Sequence, residues 1–194
     1  MSKQSWKPGN MLYPVPAVLI TVADKAGTPN IFTVAWTGTV CSDPPMVTIS
    51  VRPERYSHHI IEETQEFVIN LTTRKLAYAT DYCGVKSGKD TDKIKDMNLH
   101  LIPGEKVNAP LLLESPVNLE CRVKDTMCLG THDMYLSEVA AVHADEAFMD
   151  EKGRFLLDRA EPIAYSHGGY YLLGERLGTF GYSVKKGSTK SRKR

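Results

Sequence analysis

Residues 46–51 read Met-Val-Thr-Ile-Ser-Val, a strict alternation that puts Val47, Ile49 and Val51 on one face and Met46, Thr48 and Ser50 on the other. A period of two is that of a pleated strand with one buried face. Short apolar stretches of this kind recur along the chain, divided by turn signals, and together they predict a β-rich domain. The first spans residues 17–23, and Asp24-Lys25-Ala26-Gly27-Thr28-Pro29-Asn30 follows it as a hairpin loop. A strand is expected over residues 31–40, with Phe32, Val34 and Trp36 on one face and Ile31, Thr33, Ala35 and Thr37 on the other. Ser42-Asp43-Pro44-Pro45 ends it, because consecutive prolines cannot donate to a ladder.

Pro53 to Ser57 leads into a short helix ending near Glu63, with Ser57 as its N-cap. Further strands are expected over 67–71, through Leu119, Cys121 and Val123, over 134–143 and within 155–165. Helices are expected over 75–82 and 90–98, and the remainder after residue 165, through Tyr182, reads as turns and irregular chain. Six or more mostly antiparallel strands with a few short helices suggest a barrel, which closes its own edges; periodicity alone does not separate it from a sandwich.

The 194 residues suit one domain, assigned to 1–183, followed by a basic tail at 184–194. Residues 185–194 hold six of the 24 basic residues and no acid, leaving 18 basic against 23 acidic, a net charge of −5, on the remainder. A tail of Gly, Ser, Thr, Lys and Arg cannot bury a core and is expected to be disordered. A basic tail on an acidic body does not describe a nucleic-acid-binding fold, although such a barrel could still be a non-enzymatic module using its tail. No apolar run reaches the length of a membrane span, and residues 1–10 lack the apolar core of a signal peptide, so a cytoplasmic protein is expected. Cys41, Cys83, Cys121 and Cys128 form no C-x-x-C pair, and reduced, packed thiols are the expectation.

The familiar nucleotide motifs are missing. No G-x-G-x-x-G follows a strand, and Gly84-Val85-Lys86-Ser87-Gly88-Lys89-Asp90 is one spacer short of a P-loop, with Asp90 where a hydroxyl should meet magnesium. That loop nevertheless has phosphate chemistry: glycines permit close backbone approach, Ser87 donates, and Lys86, Lys89 and Lys93 carry charge. Taken alone, a solvated basic turn meets the same description. The helix start at Ser57, preceded by Arg52 and Arg55, is a second anion-ready element, though a capped helix beside surface arginines reads the same way. His58 and His59 are adjacent and His132 lies in a Gly-Thr-His-Asp turn, so no metal-ligand spacing is present and no metal site is expected. The G-x-S-x-G elbow of a serine hydrolase is also missing.

Taken in order, several segments resemble the flavin reductase-like family, nearest in pattern to its flavoredoxin group. They are residues 14–21, 27–30, Ala35-Trp36, 42–47, 50–53, 66–71, Cys83-Gly84 with Ser87-Gly88, Asp92-Lys93, and 119–121. The resemblance covers residues 12–145. It implies an FMN-binding split β-barrel, antiparallel and Greek-key, that forms a homodimer. It also implies hydride uptake from NADH or NADPH, with electrons passed to a flavin, iron or a redox partner protein. A carrier with little NAD(P)H activity of its own is the alternative. By the same resemblance, Asn30, Thr33 and Trp36 reach the flavin from the second strand. Ser50, Val51 and Arg52 line it from the third, and Arg55 and Ser57 hold phosphate. Cys83, Ser87, Gly88 and Lys93 close over the phosphate chain, and His132 faces the nicotinamide as the catalytic candidate.

Overall fold

The computed structural model describes residues 1–184. The basic tail from residue 185 lies outside the described residues, so the expectation of a disordered tail concerns a segment not described.

Among the described residues twelve strands occur in chain order: β1 (Val15–Pro16), β2 (Val18–Ala23), β3 (Pro29–Val34), β4 (Thr37–Ser42), β5 (Pro45–Val51), β6 (Glu66–Leu71), β7 (Leu101–Ile102), β8 (Leu111–Leu112), β9 (Val117–Cys128), β10 (Asp133–Ala144), β11 (Ile163–Ser166) and β12 (Gly169–Leu172). Helices α1 (Tyr56–Thr64), α2 (Ala77–Val85) and α3 (Lys93–Asp96) interrupt them. Seven strands form one antiparallel sheet in the order β3-β2-β6-β9-β10-β5-β4. Its two outer strands, β3 and β4, are consecutive in the chain, separated only by Ala35 and Trp36. The Ser50 N–H donates to the Trp36 carbonyl at 2.8 Å. The sheet therefore bends back on itself, so that its two end strands follow one another across Ala35-Trp36 without pairing with each other.

Alternation decides what fills the barrel. Val47, Ile49 and Val51 of β5 point inward with Val18, Ile20, Val22, Phe32, Val34, Phe67, Ile69, Cys121 and Tyr135, while Ile60 and Ile61 of α1 join the same cluster. The opposite face of β2 and β3 is also covered, because Leu19 and Ile31 pack on Leu76, Ala79 and Cys83 near and within α2. Burial on both faces explains why β2 reads as a continuous apolar run rather than an alternation.

Several expected elements differ. The single strand over 31–40 is two strands, broken at Ala35-Trp36; alternation continues across the break, so periodicity could not register the turn that closes the barrel. Ser57 is not the N-cap of α1. Arg55 occupies that position in an extended conformation without a side-chain capping bond, and Ser57 lies within the first turn. The helix expected at 75–82 is a 3-10 turn at Arg74–Leu76 followed by α2, and that at 90–98 shrinks to α3, capped by the Asp92 carboxylate. Much of 155–165 is irregular or a 3-10 turn at Leu157–Ala160, with a strand only from Ile163. The chain beyond it, read as irregular, contains β12. It pairs with β11 through a tight turn in which His167 and Gly168 both have positive φ, +46° and +82°. This is the backbone of a type I′ hairpin. Among the described residues, no helix is long and apolar enough to cross a membrane.

Candidate functional site

Where β3, the end of β5, the start of α1 and the end of α2 converge, two adjoining cavities open. The first, about 310 Å³, lies between Asn30 and Thr33 of β3, the Arg52–Ser57 segment, and the Cys83–Lys93 segment. The second, about 180 Å³, shares Thr33, Arg52 and Arg55 with it and continues along Trp36, Ser50 and Val51 to His132. All thirteen candidate residues line this double groove: Asn30, Thr33, Arg52, Arg55, Ser57, Cys83, Ser87, Gly88 and Lys93 the first cavity, Trp36, Ser50, Val51 and His132 the second.

Local contacts hold the groove in shape. The Asn30 amide Nδ2 donates to the Ser57 hydroxyl at 2.6 Å, tying β3 to the first turn of α1. The Arg55 guanidinium donates to the Gly84 carbonyl at 3.1 Å, tying α1 to the end of α2. The Thr33 hydroxyl donates to the Thr80 carbonyl on the same helix. Gly88 fits for lack of a side chain: a Cβ there would stand 2.2 Å from Asn30 Oδ1. The glycine thus meets a close approach rather than an unusual backbone angle.

The electrostatics are one-sided. Lys93 is 3% exposed, and its ammonium has one long contact, 3.4 Å to the Cys83 carbonyl. Burial pulls its pKa down to about 8, and the Arg55 charge acts in the same direction. It therefore remains largely charged at neutral pH. Among the described residues no carboxylate forms an ion pair with Lys93 or Arg55, and the Arg52–Glu54 pair, 3.3 Å apart, is exposed. A buried cation without an anion is costly, so the charge of the groove suits an anion. The free N–H groups at the start of a helix add to this.

Burial pushes the Cys83 thiol up to about 11, although Lys93 pulls it back, so it stays protonated at neutral pH. Burial, then Arg52, depress His132 below the ordinary histidine value, with Glu54 and Asp133 opposing. Its ring is accordingly neutral, with Nδ1 2.9 Å from the Thr131 hydroxyl. A neutral imidazole facing the groove offers one hydrogen-bonding nitrogen to a ligand.

Residues missing from the candidate set are Phe32, Glu54, Tyr56, Gly84 and Lys86, which also line the first cavity. Glu54 could have been found from its place between two arginines, and Gly84 from its place beside Cys83. Nothing in the sequence signals that Tyr56 sits at the mouth.

An antiparallel barrel with a cationic groove at a helix start defines a β-barrel protein with a candidate anion-binding groove. More particularly, residues 10–174 match the flavin reductase like domain, and the chain belongs to that family. An uncharacterised protein of Pyrococcus abyssi is 32% identical over 157 residues, covering 80% of this chain and 90% of that one. Flavoredoxin of Desulfovibrio vulgaris (Miyazaki F) superposes with a TM-score of 0.87 at 30% identity, covering 95% of this chain and 100% of that one. A split-barrel protein from Shewanella frigidimarina has the same fold, with a TM-score of 0.79 at 21% identity over 89% of each chain. The fold is thus a mainly β split barrel, antiparallel with a few short helices.

Proposed function

We propose that the groove binds FMN and that the protein is a flavin reductase-type oxidoreductase, taking hydride from NADH or NADPH and passing electrons to a flavin, iron or protein acceptor. Family membership supports a redox function linked to flavin. The observation that carries the reading is Lys93, a buried ammonium without a carboxylate partner among the described residues, at one end of a groove walled at the other by Trp36 and β5.

The residues present fit the cofactor. FMN has a dianionic phosphate, a polyol chain and a flat ring. Arg55, Ser57, Ser87 and Lys93 supply charge and donors for the phosphate. Gly88, pressed against Asn30, lets the loop backbone close over the chain, and the Asn30–Ser57 bond holds the helix start in register. Trp36, Ser50 and Val51 form the wall for the ring, with Thr33 and Arg52 where the two cavities join. When bound, the flavin supplies the hydride and electron chemistry. The chain contributes orientation, charge and a neutral imidazole at His132, placed to hydrogen-bond a nicotinamide amide or steady a proton. Cys83 acts by packing.

The test is direct. Purified protein titrated with FMN is expected to shift the flavin spectrum at one equivalent per chain, and NADH or NADPH to bleach it without oxygen. Failure to bind FMN sinks the proposal. The likeness to a flavoredoxin favours one second reading, a carrier reduced by a partner protein. Slow bleaching by both nicotinamides, with rapid reduction by a low-potential donor protein, would select it.

We also propose a homodimer. Val40, Met127, Leu129 and Val142 are exposed apolar residues on or beside β4, β9 and β10, and a second copy would cover such positions. Light scattering during gel filtration reads the mass.

A further inference from the structure

His58 follows Ser57 on α1 but does not line the groove. Its ring is buried, with Nε2 2.7 Å from Asp133 Oδ2 at the start of β10 and Nδ1 3.6 Å from Glu62 Oε2 one helical turn on. Asp133 is 8% exposed. Among the described residues neither carboxylate has a Lys or Arg ion-pair partner; the Cys128 thiol and the His58 ring hydrogen-bond Asp133, and His58 is the ring that lies between the two acids. One ligand atom from each of the three residues lies within 4.8 Å of the other two.

A second, independent feature points to a missing occupant. Tyr135, on the same face of β10 as Asp133, is 0% exposed, and its hydroxyl has no hydrogen-bond partner among the described residues. Its ring meets His58 edge-on at 5.9 Å, and Glu62, Asp133 and Cys128 all act on the hydroxyl electrostatically, so it faces the cluster. An unpartnered buried hydroxyl is unfavourable. A water carried on an ion would complete it.

We propose that His58, Glu62 and Asp133 bind a divalent transition-metal ion of the zinc class, with a water in the fourth position beside Tyr135. Imidazole nitrogen and carboxylate oxygen are zinc ligands, and bonds of about 2.0–2.2 Å set tetrahedral ligand atoms roughly 3.3–3.6 Å apart. Asp133 and Glu62 meet different ring nitrogens, and an ion takes only one, so Asp133 would draw back from its 2.7 Å hydrogen bond while Glu62, exposed at the cluster's outer edge, closes in by about an ångström. The sequence carries no ligand spacing because Asp133 is 75 residues from His58 and only the barrel brings them together. The ion would clamp the first turn of α1 to the start of β10. Their neighbours Ser57 and His132 line the groove, so occupancy would stiffen two of its walls.

The site does not depend on the FMN reading, and its test reads zinc rather than flavin. Protein stripped with a chelator is given Zn²⁺ and passed through gel filtration, and the retained metal is measured. Wild type is expected to keep one equivalent and to melt at a higher temperature with Zn²⁺. Glu62→Gln, at an exposed position that leaves folding intact, and Asp133→Asn, checked by circular dichroism, are each expected to weaken binding at least about tenfold. No retained zinc in wild type overturns the proposal. Unchanged retention in either variant also overturns it, since the ion would then lie elsewhere.

Discussion

Replacing Lys93 by methionine separates what the groove costs the empty protein from what it gives to a ligand. The pKa of Lys93 is pulled from its ordinary 10.5 to about 8, chiefly by burial. At 1.36 kcal/mol per pH unit, this is a folded-state penalty of about 3 kcal/mol while the side chain is charged. The folded protein holds fewer protons than the unfolded chain between pH 8 and 10.5, so stability rises with pH across that window. Below pH 8 the penalty is fully present. Lys93→Met removes it and keeps the length of the stem. The ligand-free variant is therefore expected to be more stable than wild type at pH 7, by up to about 3 kcal/mol. The two should converge towards pH 10.5. FMN affinity should move the other way, since a lost charge-assisted hydrogen bond costs about 1.5–3 kcal/mol, roughly tenfold to over a hundredfold. Urea unfolding followed by tryptophan fluorescence at pH 7, 9 and 10.5 reads the first effect, and FMN titration the second. Because other groups titrate in the same range, the difference between variant and wild type is the quantity to compare. A variant that is no more stable at pH 7 than at pH 10.5 relative to wild type, and binds FMN equally well, would refute the reasoning.

Three further outcomes are expected. Gly88→Ala places a Cβ 2.2 Å from Asn30 Oδ1, so thermal melts should show a loss of about 1–3 kcal/mol and FMN titration a weaker complex. Adding Asn30→Ala should restore part of the stability but not the binding. His132→Asn should keep FMN affinity yet slow anaerobic bleaching by the nicotinamide on the order of tenfold or more, as measured by stopped flow. Glu120 is a buried carboxylate whose pKa burial alone would raise. The N–H groups of Glu105, Lys106 and Val107, with His143 at 2.6 Å, bring it instead down to about 2. Its stabilisation is present above about 4.5 and lost as pH falls towards 2. Glu120→Gln should therefore cost about 2–3 kcal/mol at pH 7 and flatten acid unfolding in that window, as urea melts at stepped pH would show.

The legible part of this chain is that governed by near neighbours. Residues 46–51 announced a strand with a buried face because alternation reports which side meets the core. Ser57 with its arginines and the 84–93 loop announced the cationic lining of one groove because side-chain charge is written in the residues themselves. Tertiary structure decided the rest. The break at Ala35-Trp36 separates the two end strands of a sheet that bends back on itself, with no glycine or proline at those two positions to mark it. Ser57 gave up the cap position to Arg55 and took an amide from β3 instead, a contact set by the approach of two elements. The β11–β12 hairpin turned on His167-Gly168, a weaker signal than Asn-Gly. Lys93 became a buried cation, rather than one more lysine on a polar loop, only because α2, β3 and α1 enclose it. Local sequence determines which way a side chain points and what charge it bears; burial and partnership depend on segments tens of residues apart, and these the folded barrel alone brings together.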